Sequence, residues 1–299
     1  MAEVRQPTRE SRFILERESG EELLRRLIVA NHAAGDPPLK LVVVVAHPDD
    51  EAIGAGGLLR GYRDATVVHI TDGGGVDDVN AVQRGFPSRE AYTNARRAEV
   101  LRALSLVGIS AQNVRCLGIR DGEAGRRLPD LTSKLLDVLG ELEPDVVLTH
   151  PYEGGHTDHD ATAFGVHMAT GTLRRQQGSA PLVLELTSYH DKDGERLRGE
   201  FLPADVPECE LVLGDEEREI KRRMFEAFDT QRDVVAPFPV DVERFRVAPR
   251  YIFTEPPHPG TLDYERRCMR LTGAEWRALA DQALQMLRTR RERRRFPRD

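Results

Sequence analysis

Long apolar runs are missing from this 299-residue chain. None approaches the roughly 18–20 residues needed to cross a bilayer, which excludes a hydrophobic spanning helix. The N-terminus, "MAEVRQPTRESRFILERESGEELLRRL", is charged throughout and lacks the apolar core of a signal peptide, so cytoplasmic residence and no membrane partner are the expectation. Cysteine is scarce. Cys116, Cys209 and Cys268 stand far apart, in no CxxC pair and with no histidine at metal-finger spacing, and read as reduced structural thiols. A net charge of −7 argues against a dedicated nucleic-acid binder, and the locally basic "RTRRERRRFPRD" reads as a solvated helix end. There is no GxGxxG fingerprint for a dinucleotide and no GxSxG elbow for a serine hydrolase. Internal repeats and low-complexity linkers are absent too.

What is present is an alternation of short apolar runs with amphipathic stretches, the pattern of parallel strands buried on both faces by crossover helices. The expected strands are "KLVVVVA" (Lys40–Ala46), "TVVHIT" (Thr66–Thr71), "VRCLG" (Val114–Gly118), "DVVLTH" (Asp145–His150) and "LVLELTSYH" (Leu182–His190). Helices are expected around Ala52–Arg63, Ser88–Val107 and Asp130–Glu143, with another beginning near Asp158. In the second of these, Ala95, Ala98, Val100, Leu101, Leu104 and Val107 give one broad apolar face at helical spacing. The fold class is therefore α/β, doubly wound. Past residue 191 the alternation weakens: "CELVLGD" reads as a strand, "EEREIKRRMFEAFDTQ" as a helix capped by Asp215, and the Pro-rich segment after it as loops and short strands. A last helix runs from about Gly273 to Arg295. The division expected is an N-terminal helical extension (1–39), a core (40–190) and a C-terminal elaboration of the same domain (191–299).

Chemistry is concentrated in two places. "AHPDDEAIGAGG" follows the first strand and crowds His47, Asp49, Asp50 and Glu51 into five positions; "THPYEGGHTDHDAT" follows the fourth and carries His150, His156, Asp158 and His159. With His167 close by, five of the nine histidines lie in or near these segments. In open α/β sheets ligands gather outside the carboxyl ends of the strands. Carboxylates in a first helical turn are explained by the helix dipole, but the histidines are not. A histidine and an acid three residues apart on a tight turn can converge on one metal ion, and a catalytic zinc usually takes three protein ligands, so a third is required from another strand end. The glycines of "GAGG" read as close helix–sheet packing, and "TDGGG" (Thr71–Gly75) as an active-site loop whose Asp72 contacts a substrate hydroxyl or forms a turn.

The two histidine segments together resemble the PIG-L/LmbE family of zinc-dependent N-deacetylases, whose members act on N-acetylglucosaminyl groups. The similarity runs on through "TDGGG", "RRAEVLRAL" and "CLGIRDGE", covering roughly residues 40–190. It implies a Rossmann-like three-layer sandwich with a mostly parallel sheet and a C-terminal elaboration, and a small N-acylated amino-sugar substrate. It also implies roles: His47, Asp50 and His159 as ligands of Zn2+, a donor set that Fe2+, Co2+ or Ni2+ also suit; Asp49 as the general base; His156 as an imidazolium serving the oxyanion or the departing amine; Asp158 as the carboxylate orienting His156; Arg96 and Asp121 as sugar contacts. Arg96 reads equally as a solvated helix arginine paired with Glu99. Tyr152 stands near where some members carry a mobile tyrosine over the metal. Glu51 and His150 read as structural, and His190 as outside the catalytic set. Other functions carried forward are an amidase on a larger N-acyl or thiol-conjugate substrate and a metal- and carbohydrate-binding protein without catalysis. The C-terminal third builds either a wall of the pocket or a homo-oligomer contact.

Overall fold

The computed structural model describes residues 20–29, 39–267 and 269–295. Most of the expected N-terminal extension, Cys268 and the end of the basic tail lie outside the described residues. In chain order the elements are α1 (Gly20–Val29), β1 (Leu41–Val45), α2 (Asp50–Ala55), β2 (Thr66–Thr71), α3 (Asp78–Gln83), α4 (Arg89–Leu106), β3 (Val114–Ile119), α5 (Leu128–Leu142), β4 (Val146–Thr149), α6 (Thr157–Gln177), β5 (Leu182–Leu186), β6 (Tyr189–Lys192), β7 (Glu195–Arg198), β8 (Glu208–Val212), α7 (Asp215–Glu226), α8 (Arg232–Val235), β9 (Val242–Val247), α9 (Asp263–Arg266) and α10 (Gly273–Arg295), joined in places by short 3-10 turns.

The central sheet has seven strands in the order β3-β2-β1-β4-β5-β9-β8. The first five are parallel, and β9 runs antiparallel to both its neighbours. "LVVVV" forms β1 because every position of it is buried. Val43 and Val45 pack on one side with Leu24, Leu104 and Phe228, while Val42 and Val44 pack on the other with Leu135, Phe164 and Trp276. Two helical layers thus cover both faces of a strand that has no polar side to offer water. Strand order reverses direction between β1 and β4, and the crevice at their carboxyl ends receives both histidine segments. No described helix is long and apolar enough to cross a membrane.

The structure departs from the sequence expectations at four elements. The strand expected over Leu182–His190 breaks at Thr187 and Ser188; β5 stays in the main sheet, and β6 pairs with β7 in a separate ribbon. The helix expected over Ala52–Arg63 ends at Ala55 and resumes as a 3-10 turn at Leu58–Gly61. It is interrupted because the Glu243 carboxylate accepts the backbone N–H groups of Gly57 (2.8 Å) and Leu58 (3.0 Å). A Cβ on Gly57 would stand 2.5 Å from Leu213, so close packing does require that glycine. On α4 the buried stripe includes Tyr92, Arg96, Glu99, Val100, Ala103 and Leu104, whereas Ala98 is exposed: two charged residues replace alanines on the inner face. Finally, Gly214 caps α7 and Asp215 is its first helical residue.

Candidate metal centre and catalytic cleft

The turn after β1 is held by its own side chains. Asp50 Oδ2 accepts the His47 N–H at 2.7 Å, the His47 carbonyl accepts the N–H groups of Asp49 and Asp50, and Glu51 Oε2 accepts the Asp49 N–H at 3.2 Å. Glu51, fully buried, also meets His69 of β2 at 3.0 Å. From the other segment, His150 directly follows β4 and His156 is the N-cap of α6, which sets His159 in that helix's first turn.

These elements bring His47, Asp50 and His159 together. His47 Nδ1 is 3.3 Å from Asp50 Oδ2, His159 Nε2 is 3.3 Å from Asp50 Oδ1, and the two imidazole nitrogens are 3.3 Å apart. Donors about 2.0–2.1 Å from one tetrahedral zinc stand about 3.3–3.4 Å from each other, so the two imidazole nitrogens are spaced for such an ion, and Asp50 presents a different oxygen to each of them. Overlapping sets, His47 with His156 and His159, and Asp50 with His150 and His159, keep their donor atoms within 4.8 Å. On its far side His47 Nε2 lies 3.2 Å from Asp121 Oδ1 and 3.4 Å from Asp158 Oδ2. A proton on Nε2 shared with carboxylates leaves Nδ1 free as a metal donor.

The electrostatics follow from burial among mixed charges. Burial alone would raise Asp50, yet His159 and His150 hold it well below the carboxylate range. Burial would lower His47, but Asp121, Asp158 and Asp50 raise it well above an ordinary imidazole. His159 is lowered, by burial and then by His150 and His47. Asp49 is pushed up to about 7, chiefly by burial and then by Asp50 and Glu51, against the pull of Arg96 and His47.

Several expected roles change. Arg96, expected as a sugar contact, is 4% exposed; its NH2 meets Asp49 Oδ2 at 3.1 Å and the Pro48 carbonyl at 2.8 Å, and NH1 reaches the Gly73 carbonyl. It holds Asp49. Asp121, expected to meet sugar hydroxyls, is engaged with the His47 ring and accepts the Gly75 N–H. Burial would raise its carboxyl, but His47 and the hydrogen bond to it, with His156 and Arg96, bring it below the usual range. Asp158 does not orient His156 through its carboxylate, which is fully buried and accepts the N–H groups of Gly122 (2.6 Å) and Ala124 (3.0 Å). The contact between the two residues runs the other way, the Asp158 backbone N–H donating to His156 Nδ1 at 3.0 Å. An imidazolium could not accept there, and burial followed by His47 lowers the His156 pKa, so this ring is neutral with its proton on Nε2. Tyr152, near where a mobile tyrosine is expected, is buried, donates to the Glu255 carbonyl and stacks on Trp276. Asp72 is held by Arg89 and the Gly74 N–H.

His150, read as structural, is stacked on His159 at 3.9 Å and 7°; its Nε2 accepts the Ala46 N–H at 3.1 Å and lies 3.2 Å from Asp50 Oδ2. Two residues were missed by sequence reasoning. Ser188 Oγ stands 3.3 Å from His159 Nδ1, and the Tyr189 ring lies edge-on to His159 at 5.3 Å. Both depend on the break after β5, which the continuous apolar pattern hid.

Residues 42–170 match the family model for GlcNAc-PI de-N-acetylase, PIG-L. The chain carries a PIG-L family domain. A probable N-acetyl-α-D-glucosaminyl L-malate deacetylase 2 of Bacillus subtilis (strain 168) is 28% identical over 159 residues, which are 51% of this chain and 70% of that protein. A 1D-myo-inositol 2-acetamido-2-deoxy-α-D-glucopyranoside deacetylase of Corynebacterium diphtheriae is 32% identical over 141 residues, 40% of this chain and 48% of the relative. Among solved structures, the A40926 pseudoaglycone deacetylase superposes with a TM-score of 0.52 at 20% identity, covering 72% of this chain and 99% of that one, so the fold is shared. Both histidine segments, and with them the whole cluster, fall inside the matched PIG-L domain.

Proposed function

We propose that the protein is a metal-dependent N-deacetylase that hydrolyses the acetamido group of a glucosamine-type small molecule. The observation that carries this reading is the three-donor cluster at 3.3 Å spacing with a buried carboxylate, Asp49, held beside it by Arg96. The names of the relatives support the substrate class, since each acts on an N-acetylated glucosamine derivative. His47, Asp50 and His159 would hold the ion, which supplies Lewis acidity, polarising the amide carbonyl and lowering the pKa of water toward about 7.

The rest of the chemistry falls to the chain. Asp49 takes a proton from the attacking water as its oxygen bonds to the acyl carbon. As the C–N bond breaks, Asp49 passes that proton to the nitrogen, giving a free amine and acetic acid, which ionises to acetate; His156, neutral with its hydrogen on Nε2, donates a hydrogen bond to the oxyanion. Asp121 and Asp158 orient His47, and Ser188 orients His159. Zinc is the metal proposed; a solved relative of the same fold is described as a zinc-inhibited form, so loading is titrated rather than saturated.

The test is free-amine release from a panel of N-acetylglucosamine derivatives, including larger acyl groups, by protein loaded with one equivalent of zinc. Wild type is expected to release amine, and Asp49→Asn to retain its zinc with kcat about 10²–10⁴-fold lower. Loss of the metal from Asp49→Asn contradicts the base assignment, and release only from larger acyl groups moves the reading to an amidase.

A further inference from the structure

The β6–β7 ribbon carries a charge surplus that the reaction above does not use. Tyr189 lies opposite Arg198, and Asp191 opposite Arg196. Side chains alternate between faces along a strand and directly opposed residues share one, so these four project from the same side of the ribbon. That side meets the cleft: Tyr189 contacts His159, the Arg196 guanidinium lies 4.1 Å from the Tyr189 ring centroid, and Arg198 stands 5.8 Å from Phe238, which neighbours Tyr189.

α9 brings two more arginines to the same place. Arg266 pairs with Asp191 at 2.7 Å, while Arg196 and Arg267 both pair with Asp263. Three guanidiniums therefore share two carboxylates. Arg198 is the one left over: among the described residues it has no carboxylate partner, and its hydrogen bond is a long one, 3.4 Å to the Arg196 carbonyl. It is half-buried, and burial together with Arg196 and Arg267 disfavours its charge against the weaker pull of Asp263 and Tyr189. In a chain with a net charge of −7 this is a local positive site, on the strand position opposite Tyr189, whose ring meets a proposed metal ligand.

We propose that this ribbon face binds an anionic group, a carboxylate or a phosphate, on the part of the substrate that extends away from the acylated nitrogen, with Arg198 as the specificity-determining contact. The proposal rests on the deacetylase reading. A guanidinium fork matches either anion with two parallel hydrogen bonds, and supplying the missing counter-ion makes the contact stronger than an exposed pair. Tyr189 spaces that contact from the metal cluster.

The experiment compares three substrates: methyl N-acetylglucosaminide, the N-acetylglucosaminide of glycolate, and N-acetylglucosamine 1-phosphate. Wild type is expected to prefer an anionic substrate about tenfold or more in kcat/KM, through KM. In Arg198→Gln the loss should be about tenfold larger for that anionic substrate than for the neutral one, with Arg198→Lys in between. The anion with the larger loss identifies the source. Equal use of charged and neutral substrates by wild type, or equal losses in the variant, overturns the proposal. Calorimetric binding of glucosamine 1-phosphate separates this failure from that of the deacetylase reading. If no substrate is turned over, the deacetylase reading falls, while binding about tenfold weaker in Arg198→Gln still supports the anion site and unchanged binding refutes it.

Discussion

At the scale of single residues, the centre is organised by what each side chain does for its neighbour. Arg96 illustrates this: its guanidinium neutralises Asp49 and ties it to the turn through the Pro48 and Gly73 carbonyls. Arg96→Met should leave Asp49 buried and unpaired, lowering kcat by at least tenfold and stability by about 3 kcal/mol. Combined with Asp49→Asn it should cause little additional loss of rate, and additive losses in that double-mutant cycle would separate Arg96 from Asp49. The ligand set has its own test. A His47→Ala/His159→Ala double variant should lose stoichiometric zinc in an equilibrium dialysis measurement, whereas full occupancy would sink the assignment. Residue types and spacing made His47, Asp49, Asp50 and His159 legible in the chain. Which atom of His47 faces the proposed metal was not, because that depends on Asp121 and Asp158, far away in sequence.

Elements place these residues, and here a buried ion pair joins the C-terminal region to the helix that follows the His47 turn. Glu243 of β9 accepts from Lys221 of α7 at 2.9 Å and from the backbone of Gly57 and Leu58 just after α2. Both charges are almost wholly shielded from water. Glu243→Gln leaves the Lys221 ammonium without a counter-charge and should cost about 3–5 kcal/mol in denaturant unfolding; a Lys221→Met/Glu243→Leu pair should recover much of it. A loss under 1 kcal/mol in the single variant would show that water reaches the ammonium. Long elements with one clear period, such as α5 and α10, were readable from pattern. The inner face of α4 was not, since Arg96 and Glu99 are buried by partners that periodicity does not reveal: Asp49 for the first, and the backbone and hydroxyl of Thr230 for the second.

For the molecule as a whole, packing on the α6 side of the sheet carries a pH dependence. His167 lies against Tyr251 and Phe253, its Nε2 has no partner, and burial lowers its pKa to about 4 from an ordinary 6.5. A depressed histidine stays neutral in the fold while the unfolded chain takes up a proton. Its effect is therefore nil above about pH 6.5 and destabilising as pH falls from 6.5 to 4, on the order of 3 kcal/mol in total. His167→Phe should flatten the fall in Tm over that window, measured by thermal unfolding at fixed ionic strength. An unchanged slope would assign it to other groups.

The sequence by itself determined the α/β alternation, the parallel core strands and the two histidine segments at strand ends, because burial on both faces and short-range ligand spacing are written in consecutive residues. Only the tertiary structure decided that the strand after α6 breaks to form the Tyr189 ribbon, that β9 enters the main sheet, that His156 accepts rather than donates at Nδ1, and that Arg96 is a buried brace. Each of these depends on a partner brought in by the fold from a distant part of the chain. No local pattern records the charge or the hydrogen-bonding atom that such a partner presents.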